Sequence, residues 1–97
     1  MLIEHRTYTI NKGGMDEFIA SFERDTLPLY EHAGVPIVAT WVNRPQNEFI
    51  WVRTFADAAD RDARLKVIAA ERDARGIVLG TLVAKMEVRD MEPAFDR

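Results

Sequence analysis

NEFIWVRTF, residues 47–55, and LIEHRTYTI, residues 2–10, decide the architecture. Both runs mix β-branched and aromatic residues with polar ones, as strands with two differently solvated faces do. Period-two alternation puts Asn47, Phe49, Trp51, Arg53 and Phe55 on one face of the later run, and Glu48, Ile50, Val52 and Thr54 on the other. The earlier run divides into Leu2, Glu4, Arg6, Tyr8 and Ile10 against Ile3, His5 and Thr7.

Outward from these strands, Asn11-Lys12-Gly13-Gly14 is a turn signal, and Met15, Phe18, Ile19 and Phe22 recur at helical spacing over 15–27. Pro28 is expected to kink or break that helix, since it lacks an N–H and crowds the preceding turn. One further turn is expected to end at Gly34, suited to a left-handed cap. PIVATWVN (36–43) is a strand joined to 47–55 through Arg44-Pro45-Gln46 as a hairpin. Residues 57–74 read as a second helix with Asp57 as N-cap, a thin stripe of Ala58, Leu65, Ile68 and Ala69, and Asp60 and Arg64 at i,i+4. Residues 77–80 are a connection without an assignment, 81–89 a last strand and 91–97 a tail. This order predicts a single α+β domain over 1–97: a ferredoxin-like βαββαβ sandwich, with a four-stranded antiparallel sheet and strand one between strands three and four.

The totals narrow the functional classes. Ninety-seven residues with a net charge of −3 and no basic run carry no nucleic-acid footprint. No apolar run reaches the roughly 20 residues of a membrane span. Glu4, His5 and Arg6 interrupt any leader-like apolar stretch, so a cytoplasmic location is the default. Without cysteine there is no thiolate nucleophile or ligand, and no His, Asp or Glu set has metal spacing, so no metal and no cofactor are expected. Ser21, the lone serine, lies mid-helix, away from any triad, and Gly13-Gly14 is a turn rather than a phosphate loop.

With both helices on one face, the aliphatic sets suit the covered side. That leaves Tyr8, Trp41, Phe49, Trp51 and Phe55, beside Glu4, Arg6, Arg53, Lys85 and Glu87, on a face open to water. Such an aromatic face calls for a cover. Removing about 500 Å² of apolar surface per chain would gain on the order of 12 kcal/mol, and a second copy is the commonest cover, so a homodimer is expected.

At these residues the chain resembles the NIPSNAP family. The likeness rests on Glu4-x-Arg6-x-Tyr8, the glycine turn before an aromatic-bearing helix, Leu27-Pro28 followed by His32 and Gly34, Asn47-Glu48, Trp51, and Arg61 with Arg64. It implies a dimeric α+β barrel in which two ferredoxin-like units pack sheet faces around a cavity. Similar barrels include cofactor-free monooxygenases, isomerases, haem-binding enzymes and ligand-sensing domains, so the fold decides no activity.

Glu4, Arg6 and Tyr8, with Arg53 beside them, read as a satisfied ion-pair network, or as a binding group in which Arg6 and Tyr8 hold an anionic or carbonyl-bearing small molecule. Trp41 and Trp51 are packing anchors or walls for its apolar part, and His32 is a helix-end histidine that could approach the cavity mouth. The expected function is binding or transforming such a molecule in a cavity between paired sheets, by cofactor-free oxygenation or isomerisation if the protein is an enzyme. A module whose aromatic face serves only assembly is the alternative.

Overall fold

A computed structural model describes residues 1–95; the last two residues of the expected tail lie outside the described residues. The chain runs β1 (Leu2–Ile10), α1 (Met15–Ser21), a π turn (Phe22–Thr26), α2 (Leu27–Ala33), β2 (Ile37–Asn43), β3 (Glu48–Phe55), α3 (Ala58–Ala74) and β4 (Val83–Met91). The sheet order is β2-β3-β1-β4, all antiparallel, so β1 is central between β3 and β4. This is the expected ferredoxin-like α+β topology.

Local chemistry explains the boundaries. Asp57 caps α3, accepting from the Asp60 amide at 2.8 Å, and Asp60 pairs with Arg64 at 3.2 Å. Gly34 closes α2 at φ +70°, where a side chain would be strained. The β2–β3 turn includes Asn47 at φ +57°, so β3 begins one residue later than the pattern predicts. Pro28 does not break the helix. Its ring would collide with the carbonyl four residues back, and the chain widens into the π turn just ahead of it, so helix runs unbroken from Met15 to Ala33.

The facing of the sheet differs from expectation. β1 and β3 share faces as their alternation predicts, with Tyr8 opposite Phe49, Arg6 opposite Trp51 and Glu4 opposite Arg53. That shared face is the one beneath the chain's own helices. Phe22 stacks on Phe49 at 4.8 Å and on Trp51 at 5.2 Å, Tyr30 meets Trp51 at 5.4 Å, and Trp51 is only 2% exposed. Two physical reasons decide this. The helices bring aromatics of their own to match those of the sheet. The charges on this face are paired with one another, which removes the cost of burying them alone.

The expected cavity between paired sheets, and the alternative in which the aromatic face serves only assembly, are therefore both corrected. The covered face belongs to one chain. β4 is also re-sorted, because Met86 opposes Tyr8 and Val88 opposes Arg6, while Lys85, Glu87 and Arg89 oppose Thr9, Thr7 and His5 on the other face. A register shift at Thr9/Ile10 brings Val83 opposite Ile10 on the helix side. Trp41 opposes Ile50 and so lies on the helix-free face.

The core is one cluster of Tyr8, Ile10, Met15, Phe18, Phe22, Leu29, Tyr30, Phe49, Trp51, Phe55 and Ile68 with smaller neighbours. Leu29 is fully buried in it. Leu29→Ala is expected to cost about 2–5 kcal/mol, by lost transfer energy and the cavity left behind. Urea unfolding followed by circular dichroism reads this as a lowered midpoint with an unchanged slope.

Candidate functional site

The site grows from one buried carboxylate. Glu4, 2% exposed on the central strand, accepts from Arg53 Nε at 2.9 Å and Nη2 at 2.6 Å, from Arg6 Nη1, and from Arg61 Nη1 at 3.4 Å. Arg6 stands two residues along β1, Arg53 directly across on β3, and Arg61 reaches in from the first half of α3. Arg61 also donates to Asp90 of β4 at 2.9 Å. Three guanidiniums thus face two carboxylates, and one positive charge is left over.

That surplus is directed at the helix side. Arg6 Nε donates to the Tyr8 hydroxyl at 2.9 Å, and its Nη2 meets only the Met86 thioether at 3.8 Å, a weak acceptor. Burial disfavours the Arg6 charge, but the field of Tyr8 and the hydrogen bonds to Glu4 and Tyr8 outweigh it, so its pKa is raised. Arg53 Nη1 donates to the Tyr30 hydroxyl. Burial pushes the Tyr30 phenol up in pKa against the opposing pull of Arg53, so Tyr30 stays a neutral phenol at ordinary pH. The Arg6 and Arg53 guanidiniums lie 5.8 and 5.4 Å from the Trp51 ring centre, within cation–π reach. Trp51 Nε1 is the buried side-chain polar atom without a hydrogen-bond partner among the described residues. An orphaned buried donor costs about 1–3 kcal/mol unless something supplies an acceptor.

These groups border a cleft of about 430 Å³ between the sheet and the helices, within the size range of small-molecule sites. Arg6, Tyr8, Trp51, Arg53 and Met86 form its floor; Phe18, Phe22, Thr26 and Tyr30 come from the helical side. The segment between α3 and β4 supplies the remaining wall through Val78, Leu79 and Leu82. Glu17, Arg24, Asp25 and Arg72 also line it, Arg24 and Asp25 being paired through two contacts of 3.1 and 3.0 Å. Four arginines and two carboxylates line the cleft, and Glu4 behind Arg6 and Arg53 and Asp73, 3.7 Å from Arg72, bring the charges into balance, so the lining is rich in guanidinium donors without a net excess of charge.

Of the residues singled out in the sequence, Glu4, Arg6, Tyr8, Trp51 and Arg53 come together. Trp41 and His32 do not join them. Trp41 is on the opposite sheet face, 53% exposed, and His32 turns to α3, with Nε2 3.7 Å from Glu71. Phe22, Thr26, Tyr30 and Met86 were not foreseen. Phe18, Phe22, Thr26 and Tyr30 follow one another at intervals of four. In an ideal α-helix that spacing drifts by about 40° per step, and the wider π turn counters the drift. That fourfold spacing running across Pro28 was the available signal. Among the described residues, no group of three or more His, Cys, Asp or Glu is placed to hold a metal ion. No helix among them is long and apolar enough to cross a membrane.

A ferredoxin-like α+β unit with an arginine- and aromatic-lined cleft between its sheet and its helices defines the class. The NIPSNAP family model matches residues 3–94, and the chain belongs to that family. A NIPSNAP family protein from Agrobacterium tumefaciens is similar at TM-score 0.86 with 21% identity, over 96% of this chain and 92% of that one. An uncharacterized NIPSNAP domain protein from Burkholderia xenovorans gives TM-score 0.85 and 21% identity, over 97% and 95%. A MhuD variant with two manganese protoporphyrin IX molecules bound per active site gives TM-score 0.73 and 13% identity, over 100% and 98%. At such identities these likenesses speak for the fold. Among curated proteins, none matches the chain.

Glu4→Gln removes the charge that three arginines share and leaves Arg53 buried without a counter-charge. The expected loss is about 3–5 kcal/mol in denaturant unfolding. Arg61→Gln, whose other partner Asp90 is half exposed, is expected to lose about 1 kcal/mol or less.

Proposed function

We propose that the protein binds a small, partly apolar molecule bearing an anionic or carbonyl oxygen in the cleft between its sheet and its helices. The observation that carries this reading is the unsatisfied donor set. Arg6 Nη2 has only a thioether before it, and Trp51 Nε1 has no acceptor at all. An oxygen of the ligand would satisfy both, while Phe18, Phe22, Leu79, Leu82 and Met86 offer apolar contact to the remainder. Arg53 acts as a positioning residue, fixing Tyr30, and Tyr8 both steadies Arg6 and lines the cleft itself. A solved neighbour of similar fold carries bound porphyrin in its active site, which agrees with a ligand-holding role for such a scaffold.

Trp41→Phe leaves Trp51 as the single tryptophan and makes its emission a direct reporter of the cleft. Titration with benzoate is expected to change that emission saturably, while benzamide does so at least tenfold more weakly. Arg6→Gln should erase the difference. Equal responses to benzoate and benzamide, or no response to either, would remove the anion site.

The helix-free face carries the partner reading. Ile3, Trp41, Ile50, Val52 and Met91 lie on it, with Trp41 and Met91 exposed by 53% and 41%. This second face, apolar at these residues and charged along β4 through Lys85, Glu87 and Arg89, is the one proposed, rather than the aromatic face, to pair with another copy of the chain. Light scattering is expected to give twice the chain mass for the parent and the single mass for Trp41→Glu. A parent that stays at 11.1 kDa at every concentration would sink the homodimer.

A further inference from the structure

Tyr8 and Tyr30 each receive a hydrogen bond from an arginine, on Tyr8 from Arg6 and on Tyr30 from Arg53. Neither hydroxyl proton has an acceptor among the described residues, so each remains free to donate. With Arg6 Nη2 and the buried Trp51 Nε1, four donor groups without an oxygen acceptor belong to residues that line the sheet-and-helix end of the cleft. The carboxylate behind them, Glu4, is already occupied by three arginines. An arrangement rich in donors discriminates between two forms of one ligand. A neutral hydroxyl finds only hydroxyl oxygens (Thr26, Tyr8, Tyr30) and the exposed Glu17 carboxylate to take its proton, whereas the ionised oxygen accepts from each of the donors. Preorganised donors in a site shielded from water are also the arrangement that favours oxyanions most strongly.

From this geometry we infer that the cleft takes weakly acidic oxygen compounds, phenols and enolisable ketones, in their ionised form. The phenolate or enolate oxygen is held by Arg6, Trp51, Tyr8 and Tyr30, and the proton goes to solvent. The inference rests on the proposed ligand site and narrows its ligand to a class. The charge balance sets the valence. Three arginines against Glu4 and Asp90 leave one positive charge, which matches a single oxygen anion better than a dianion. The neutral state of the Tyr30 phenol, maintained by its burial, keeps it a donor. The apolar walls suit the conjugated carbon framework over which such an anion delocalises.

4-Nitrophenol tests this directly, because its ionised form absorbs in the visible and its neutral form does not. With the Trp41→Phe protein in excess, the apparent pKa of the bound phenol is expected to fall by about one unit, a tenfold rise in its ionisation constant. Arg6→Gln and Tyr30→Phe should each remove most of that shift. Circular dichroism of each variant separates loss of the site from loss of the fold, and Tyr8→Phe is a second, milder deletion of one donor. 4-Nitrophenyl phosphate, a dianion near neutral pH, is expected to bind at least tenfold more weakly than nitrophenolate. If nitrophenol alters Trp51 emission but titrates as it does in water, the inference is overturned while the ligand site stands. If neither nitrophenol nor benzoate alters Trp51 emission, both fall together.

Discussion

Everything on the helix side of the sheet depends on the Glu4 carboxylate. A single acid, buried on the central strand, allows Arg53 to be buried and Arg6 to be half-buried beneath a layer of aromatic rings. Without it, neither guanidinium could leave water at tolerable cost, and Trp51 would lose the two cations that flank its ring. The aromatic packing and the ion cluster are thus one structure. Rings from the helices exclude water from the charges, and the charges fix the orientation of the rings' polar ends.

This coupling explains why the topology was legible in the sequence and the facing was not. Alternation along residues 2–10 and 47–55 correctly grouped Glu4, Arg6, Tyr8, Trp51 and Arg53, because period-two geometry is indifferent to what lies above the sheet. Choosing which face the helices cover required weighing Ile50 and Val52 against Trp51 and Arg53. On hydropathy alone the aliphatic face wins. It loses in the folded chain because Phe18, Phe22 and Tyr30 meet the aromatic face, and because charges that satisfy one another are no longer a penalty. Helix aromatics at matching spacing were a better guide to facing than strand hydrophobicity.

The smaller misplacements have equally local causes. The register slip at Thr9/Ile10 moves only Val83 to the covered face; from Lys85 to Met91 β4 keeps one register, and Lys85 and Glu87 face away because Met86 and Val88 are the residues opposite Tyr8 and Arg6. An irregularity between Ile37 and Ala39 shifts the register of β2, leaving Trp41 opposite Ile50 while Ile37 opposes Arg53. Neither shift has a glycine or proline inside the strand to announce it. His32 was set aside from the cleft by Glu71, a partner 39 positions away that no local pattern connects to it.

The π turn at Phe22–Thr26 carries a consequence for how this chain can change. A π turn holds one residue more than an α turn, whereas a residue lost elsewhere in a helix swings every later side chain by about 100°. Loss of one residue from this turn would close it to α geometry and leave Tyr30 and Leu29 facing nearly as they do, at the cost of bringing the Pro28 ring against the carbonyl four residues back. Loss of a residue from α1 or α2 would instead turn Tyr30 away from Arg53, so changes in length along this helix are tolerated at the turn and not on either side of it.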